Sequence, residues 1–254
     1  MGRVSLCITY GLLITLVTLL VSCKGANDGW DSDAHATFYG DIHGGDTMFG
    51  ACGYKNLFEQ GYGLETAALS TALFNNGSTC GACFELACIN SPNCKPNAGT
   101  IKITATNFCP PNYTKTHDIW CNPPQKHFDL AEVMFLKLAE YKAGVVPVKF
   151  RRVPCVKRGG LKFQIQGNKF WVYVLVFNVG GVGDVVNMKV KGSSSTNWVQ
   201  MTRSWGQNWH IPMDLSGQSL SFEVTTSDGR TLQALGVAAH NWQLGQTFEA
   251  KVNF

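Results

Sequence analysis

Apolar and polar positions alternate at 84–89 (FELACI) and 100–108 (TIKITATNF), the period of a strand with one buried face. A different period rules 129–144 (DLAEVMFLKLAEYKAG). There Leu130, Met134, Leu138 and Tyr141 recur at helical spacing with Val133 beside them. Asp129 stands where an N-cap would, Glu132 three residues on completes a capping box, and Gly144 suits the C′ stop. This is the clearest helix in the pattern, and as its cap Asp129 would have a lowered pKa. Residues 64–74 (LETAALSTALF) read as a short helix ended by Asn-Asn-Gly. After residue 160 helical spacing disappears. LKFQIQ, FWVYVLVF, VVNMKVKG, WVQMTRSW, LSFEVTTSDGR and FEAKVNF read as strands, with NVGG and SDG as turns. About a hundred residues of this kind suit a β-sandwich.

The N-terminus needs separate treatment. One arginine precedes an apolar run over 5–21, and small residues follow, the pattern of a secretory signal peptide. The run is short for a membrane span and has no basic cluster after it. We assign 1–25 to the signal. Its removal takes Cys7 and Cys23, so ten cysteines become eight, all between Cys52 and Cys155. An even number in an oxidising compartment favours disulfides over the zinc or redox reading of the Cys80-Gly-Ala-Cys83 spacing. The cysteine-free last hundred residues suggest a second domain. We place the boundary in FRRVPCVKRGG, giving 26–153 and 154–254.

Composition agrees with this picture. The chain of 254 residues is 45% hydrophobic and 15% charged, with 27 glycines, which suits a turn-rich β protein with a real core. Lys24–Val156 carries 11 Lys+Arg against 12 Asp+Glu, and Lys157–Phe254 carries 9 against 5. A mildly basic second half is far from the footprint of a nucleic-acid binder.

Four clusters carry candidate chemistry: TFYGD (37–41), TNFCPPN (106–112), HFD (127–129), and the pair NKFWVY (168–173) with SWGQNW (204–209). Aromatic faces cover the apolar side of sugar rings while polar groups meet the hydroxyls. Trp198, followed by Val199 and Met201, reads instead as core. Inverting cleavage of a glycosidic bond needs two carboxyls. Asp129 is one candidate and Asp41 the other, although Asp41 also fits a turn. Sequons at Asn76 and Asn112 are candidate glycosylation sites. No cofactor or metal site is expected.

Taken in order, HATFYGD, GACGY, GYGLETAALSTALFNNG, CGACFEL, TATNFCPPN, WCNPPQKHFDL, YKAGVVPVKFRRVPC, NVGGVGD, SWGQNW and LSFEVTTSDG resemble a plant α-expansin from about His35 to the C-terminus. The resemblance implies a mainly β, two-domain protein. A six-stranded double-psi β-barrel with short helices, similar to family-45 endoglucanases, would precede an Ig-like β-sandwich that binds cellulose. It implies secretion to the plant cell wall and non-hydrolytic loosening of contacts between cellulose and matrix polysaccharides such as xyloglucan, at acidic pH. The partners would be these polysaccharides and not nucleic acid. The chain would act as a monomer, with peripheral association at the wall or membrane surface left open.

Carried over residue by residue, Asp129 falls at the endoglucanase acid, and Thr37 and Tyr39 on the floor of the same groove. Phe38 falls at an aromatic position of the sugar platform. Asn107 falls where β-expansins and bacterial relatives have an aspartate. Phe170, Trp171 and Trp205 match the cellulose-binding surface, and Trp209 matches it less closely. Asp41 aligns with the endoglucanase base that expansins are said to lack, which keeps a hydrolase with Asp129 as acid and Asp41 as base as the alternative, beside a plain carbohydrate-binding wall protein. The implied disulfides are Cys52–Cys80, Cys83–Cys155, Cys88–Cys94 and Cys109–Cys121.

Overall fold

The computed structural model describes residues 29–254, so the signal assigned to 1–25 lies outside the described residues. Six strands close into a barrel: β1 (Asp31–Tyr39), β2 (Thr66–Leu69), β3 (Cys83–Cys88), β4 (Ile101–Phe108), β5 (His127–Ala131) and β6 (Val146–Val153), in the order β1-β5-β2-β4-β3-β6. β1 runs parallel to β5 and β2 parallel to β4, while the remaining pairs are antiparallel. Parallel neighbours cannot be joined by tight hairpins. The long stretches between these partners carry the short helix α1 (Thr71–Phe74) and the loop closed by Cys109–Cys121, while a second short helix, α2 (Glu132–Leu138), follows β5 on the way to β6.

Nine further strands form two sheets. β10 (Val199–Gln200), β9 (Val185–Gly192), β13 (Leu220–Thr226) and β14 (Thr231–Ala238) make one. β11 (Thr202–Trp205), β12 (Asn208–Ile211), β8 (Trp171–Phe177), β7 (Lys162–Asn168) and β15 (Thr247–Glu249) make the other. Their inner faces pack around Phe163 and Phe222, whose rings stack 4.5 Å apart. The result is the mainly β, barrel-plus-sandwich architecture expected above.

Two expected helices change. Thr66–Leu69 is a strand with every residue buried, leaving only Thr71–Phe74 of the expected 64–74 helix. Thr-Ala-Ala-Leu lies between β4 and β5, covered on both faces, so no alternation marks it as a strand. The 129–144 helix is the second correction. Its first three residues belong to β5, Ala131 occupies the N-cap with no side-chain cap bond, and α2 ends at Leu138. Leu130 and Met134 both enter the barrel core, the first from a strand and the second from a helix. The apolar spacing was therefore satisfied without one continuous helix.

Disulfides join Cys52–Cys80, Cys83–Cys155, Cys88–Cys94 and Cys109–Cys121, the pairs the resemblance implies. Cys80 and Cys83 thus belong to different bridges. Each unstrained bridge is worth about 2–4 kcal/mol. Cys83–Cys155 ties the chain leaving the barrel back to β3, and Cys155 also bridges Gly181.

The sandwich is seated closely on the barrel. A Cβ on Gly81 would come within 2.5 Å of the Gly183 carbonyl oxygen, and one on Gly183 within 2.3 Å of that of Gly81, so only glycine permits this approach. Gln207 is fully buried beside it. Its backbone N–H donates to Cys52 O at 3.1 Å and its Nε2 to Cys80 O at 2.9 Å. Arg152 meets the buried Asp184 at 2.6 Å. Leu175 and Phe177 of β8 join the barrel's own core cluster.

Candidate functional site

Parallel pairing of β1 with β5 sets Thr37 opposite Asp129 and His35 opposite His127. On β1, Ala34 and Ala36 point into the core, so His35, Thr37 and Tyr39 project from the other face. Phe128 and Leu130 are likewise core and leave His127 and Asp129 on that same side. Phe128 is thus not a staple ahead of a helix cap but part of the barrel interior. Of these, Thr37, His127 and Asp129 line a cleft of about 510 Å³. Its wall is the loop closed by Cys109–Cys121, which contributes Asn112, Lys115, Asp118 and Trp120.

Thr37 Oγ1 donates to Asp129 Oδ1 at 2.6 Å and lies 2.8 Å from His127 Nε2. With Asp129 ionised, this chain has one consistent proton arrangement. The carboxylate only accepts, the hydroxyl hydrogen is spent on it, and Thr37 Oγ1 must accept from His127 Nε2–H. His127 is then neutral with a bare Nδ1, and Nδ1 is buried without a hydrogen-bond partner. Burial, aided by His35, pushes His127 down to about 3. Trp120 packs against both histidines, 4.5 Å from His35 and 6.4 Å from His127 by ring centroids. Nitrogen NMR of the imidazole should therefore show the Nε2–H tautomer, neutral down to about pH 4. A protonated ring at pH 5, or the Nδ1–H tautomer above the Asp129 titration, would contradict this arrangement.

Asp129 needs the main correction. As a helix cap it would have a lowered pKa. In mid-strand, away from the helix end, burial raises it and outweighs the Thr37 bond.

Tyr39 is also pushed up, to about 12, by burial and by the nearby Asp129 charge. Its hydroxyl accepts from Asn107 Nδ2 at 3.4 Å. Asn107 Oδ1 accepts from the backbone N–H groups of Ala51 and Phe108, both at 2.8 Å. Asn107 thereby fixes a loop as well as Tyr39. Asp41 lies in the exposed turn after β1, where Oδ1 accepts from His43 N at 2.7 Å and Gly45 N at 3.3 Å. Those backbone bonds lower its pKa. It is not among the cleft-lining residues, whereas Asp118 lines the cleft from an exposed loop. Phe38 lines the cleft but lies on the core side of β1, its ring 4.8 Å from Phe135 and 4.9 Å from Tyr141. Packing, not sugar contact, therefore occupies much of that ring.

The sandwich carries an aromatic row. Trp171 stacks on His210 at 4.8 Å, His210 is 5.7 Å from Tyr173, and Tyr173 is 5.6 Å from Trp205. The row follows from cross-strand pairing of β8 with β12, where Tyr173 faces His210. Phe170 and Trp171 can both be exposed because Phe170 is in the turn before β8, where Asn168 Oδ1 accepts from both of their N–H groups. Trp209 does not belong to the row. It is 3% exposed in the sandwich core, with Arg203 over its ring at 4.5 Å. Trp198 is partly exposed rather than core, with Lys191 over its ring at 4.8 Å.

Trp120, Tyr173 and His210 were not singled out from the sequence. Tyr173 was findable as the i+2 neighbour of Trp171 in a strand. His210 required the strand register. Both sequons are exposed. Asn76 is in a left-handed turn, and Asn112 on the cleft loop accepts from Thr114 Oγ1 at 2.7 Å. Among the described residues no group of three or more His, Cys, Asp or Glu side chains could hold a metal.

Comparison with known proteins sorts these features. The Expansin C-terminal domain family matches residues 161–239, and a family described as Lytic transglycolase matches 66–150. Expansin-A23 of Arabidopsis thaliana is 59% identical over 236 residues, 92% of this chain and 84% of that one. Expansin-A22 of the same plant is 61% identical over 232 residues, 91% and 82% respectively.

The chain belongs to the expansin family.

The apo crystal structure of Clavibacter michiganensis expansin shares its fold. The TM-score is 0.66 at 17% identity, over 87% of this expansin and 96% of the bacterial chain. A point mutant of the same bacterial protein, in complex with cellohexaose, matches with a TM-score of 0.65.

Proposed function

We propose that this expansin is a secreted wall protein that loosens non-covalent contacts between cellulose and matrix glycans such as xyloglucan, acting as a monomer and without hydrolysis. The barrel, 26–153, engages a glucan chain in its cleft. The sandwich, 154–254, holds cellulose on the row that includes Trp171, Tyr173 and Trp205. The observation that carries the reading is the pairing of one partly buried carboxyl, Asp129, with an exposed aromatic row on the adjoining domain. Family membership supports wall loosening and a wall location. The bacterial expansin's cellohexaose complex supports a glucan as ligand.

Absence of hydrolysis is supported by what surrounds Asp129. An inverting glycosidase needs a second carboxylate across the bond to activate water. Asp41 is held by its own loop, position 107 is an amide, and Asp118 sits on the exposed rim. Loop-borne groups are poorly held for such work. The test is one sample assayed twice. A clamped, heat-inactivated wall strip should lengthen under load, while a soluble β-glucan should release no reducing sugar over a long incubation. Sugar release that disappears with Asp41→Asn would establish the hydrolase instead. A strip that fails to lengthen would leave a plain carbohydrate-binding protein.

A further inference from the structure

Between the cleft and the aromatic row runs a loop whose conformation is unusual. Phe49 has φ 56° and Lys55 φ 61°. Left-handed backbone is costly for a bulky side chain and persists where the surroundings impose it. Here they do. Phe49 N–H donates to Lys55 O at 2.9 Å, and Gly53 N–H to Gly50 O at 2.9 Å. Ala51 N–H is held by Asn107, and Cys52 is bonded to Cys80. Met48, the preceding residue, packs against the barrel core. Phe49 is 75% exposed, more than any other large apolar side chain in the barrel.

The loop meets Asn107 beside the cleft-bearing face of β1 and the end of the aromatic row. A Cβ on Gly50 would strike Asn107, the partner of Tyr39. A Cβ on Gly53 would come within 3.3 Å of Trp205 Nε1 and closer still to Asn208. Cys52 O also accepts from Gln207 N, two residues past Trp205. A short, strained and braced segment thus connects Asn107 and Tyr39, on the face of β1 that also carries the cleft-lining Thr37, to the end of the aromatic row, and it holds a phenyl ring in water.

We propose that Phe49 is a further sugar-stacking residue, covering the apolar face of a β-glucan chain where that chain passes from the barrel cleft to the row ending at Trp205. The proposal rests on reading cleft and row as one glucan surface. Strain at Phe49 then has a return. The ring needs no ordering when the chain arrives, because the loop already presents it.

Phe49→Gly separates this role from a packing role. Glycine adopts φ 56° freely, so the melting temperature should stay level or rise. Binding to microcrystalline cellulose should weaken about fivefold, the worth of one aromatic stack. Phe49→Tyr should restore it, and Trp205→Ala serves as the control. Unchanged binding in Phe49→Gly beside a weakened Trp205→Ala would overturn the role of Phe49 and leave the glucan surface standing. Unchanged binding in both would overturn the surface and the proposal with it. A Phe49→Gly protein melting several degrees lower would mark the ring as packing and also overturn the proposal.

Discussion

Asp129→Asn is expected to reduce wall extension at least tenfold while cellulose binding stays near the parent level. Asparagine keeps an oxygen for the Thr37 hydroxyl, which now reaches Asp129 at 2.6 Å, so the local geometry survives. It loses the ability to change charge, and its outer position becomes an amide. A carboxyl in this setting is suited to trade hydrogen bonds with glucan hydroxyls, accepting when ionised and donating when protonated. Burial raises its pKa, so the protonated form persists to higher pH than for a free aspartate. Binding persists because the aromatic row is carried by the other domain.

The same substitution has a stability signature of known sign. A carboxyl whose folded pKa is raised contributes most to stability below its unfolded value, and that contribution is lost as pH rises through the folded value. Asp129→Asn should therefore melt above the parent at neutral pH, with the difference shrinking on acidification through the carboxyl range. Equal melting at every pH would mean Asp129 carries no burial penalty. Full wall extension by the variant would reduce Asp129 to a floor residue.

The second large effect separates two tryptophans four residues apart. Trp209→Ala should cost about 3–5 kcal/mol of stability, since it empties a packed site in the sandwich core. It also frees Gln207, whose Oε1 accepts from Trp209 Nε1 at 3.4 Å and whose Nε2 spans to the barrel. Trp205→Ala should hardly change stability, because its ring is half exposed. It should weaken cellulose binding about fivefold, as expected for one stacked aromatic. Denaturant melts and cellulose binding on both variants check this. If Trp205→Ala unfolds early, or if folded Trp209→Ala loses binding while Trp205→Ala keeps it, the row is wrongly assigned.

Ordered motifs, cysteine spacing and period-two strands were sufficient in the sequence for the family, the β-rich class and Asp129 as the carboxyl of interest. These are local or cumulative signals that survive without knowledge of neighbours. The state of Asp129 was not local. A capping-box pattern and a strand segment can share the letters Asp-Leu-Ala-Glu, and parallel pairing to Thr37 decided between them. Burial within the strand, working against the Thr37 bond, reversed the direction of the pKa shift. β2 escaped notice because a strand buried on both faces shows no alternation. Trp205 and Trp209 look alike in SWGQNW, and only the sandwich sets one in water and the other in the core. The role of Asp41 depended on two backbone N–H groups that its loop turns toward it. The sequence by itself determined which residue types were present and in what order. Tertiary structure alone decided burial, register and hydrogen-bond partner, because each of these depends on contacts between residues far apart in the chain.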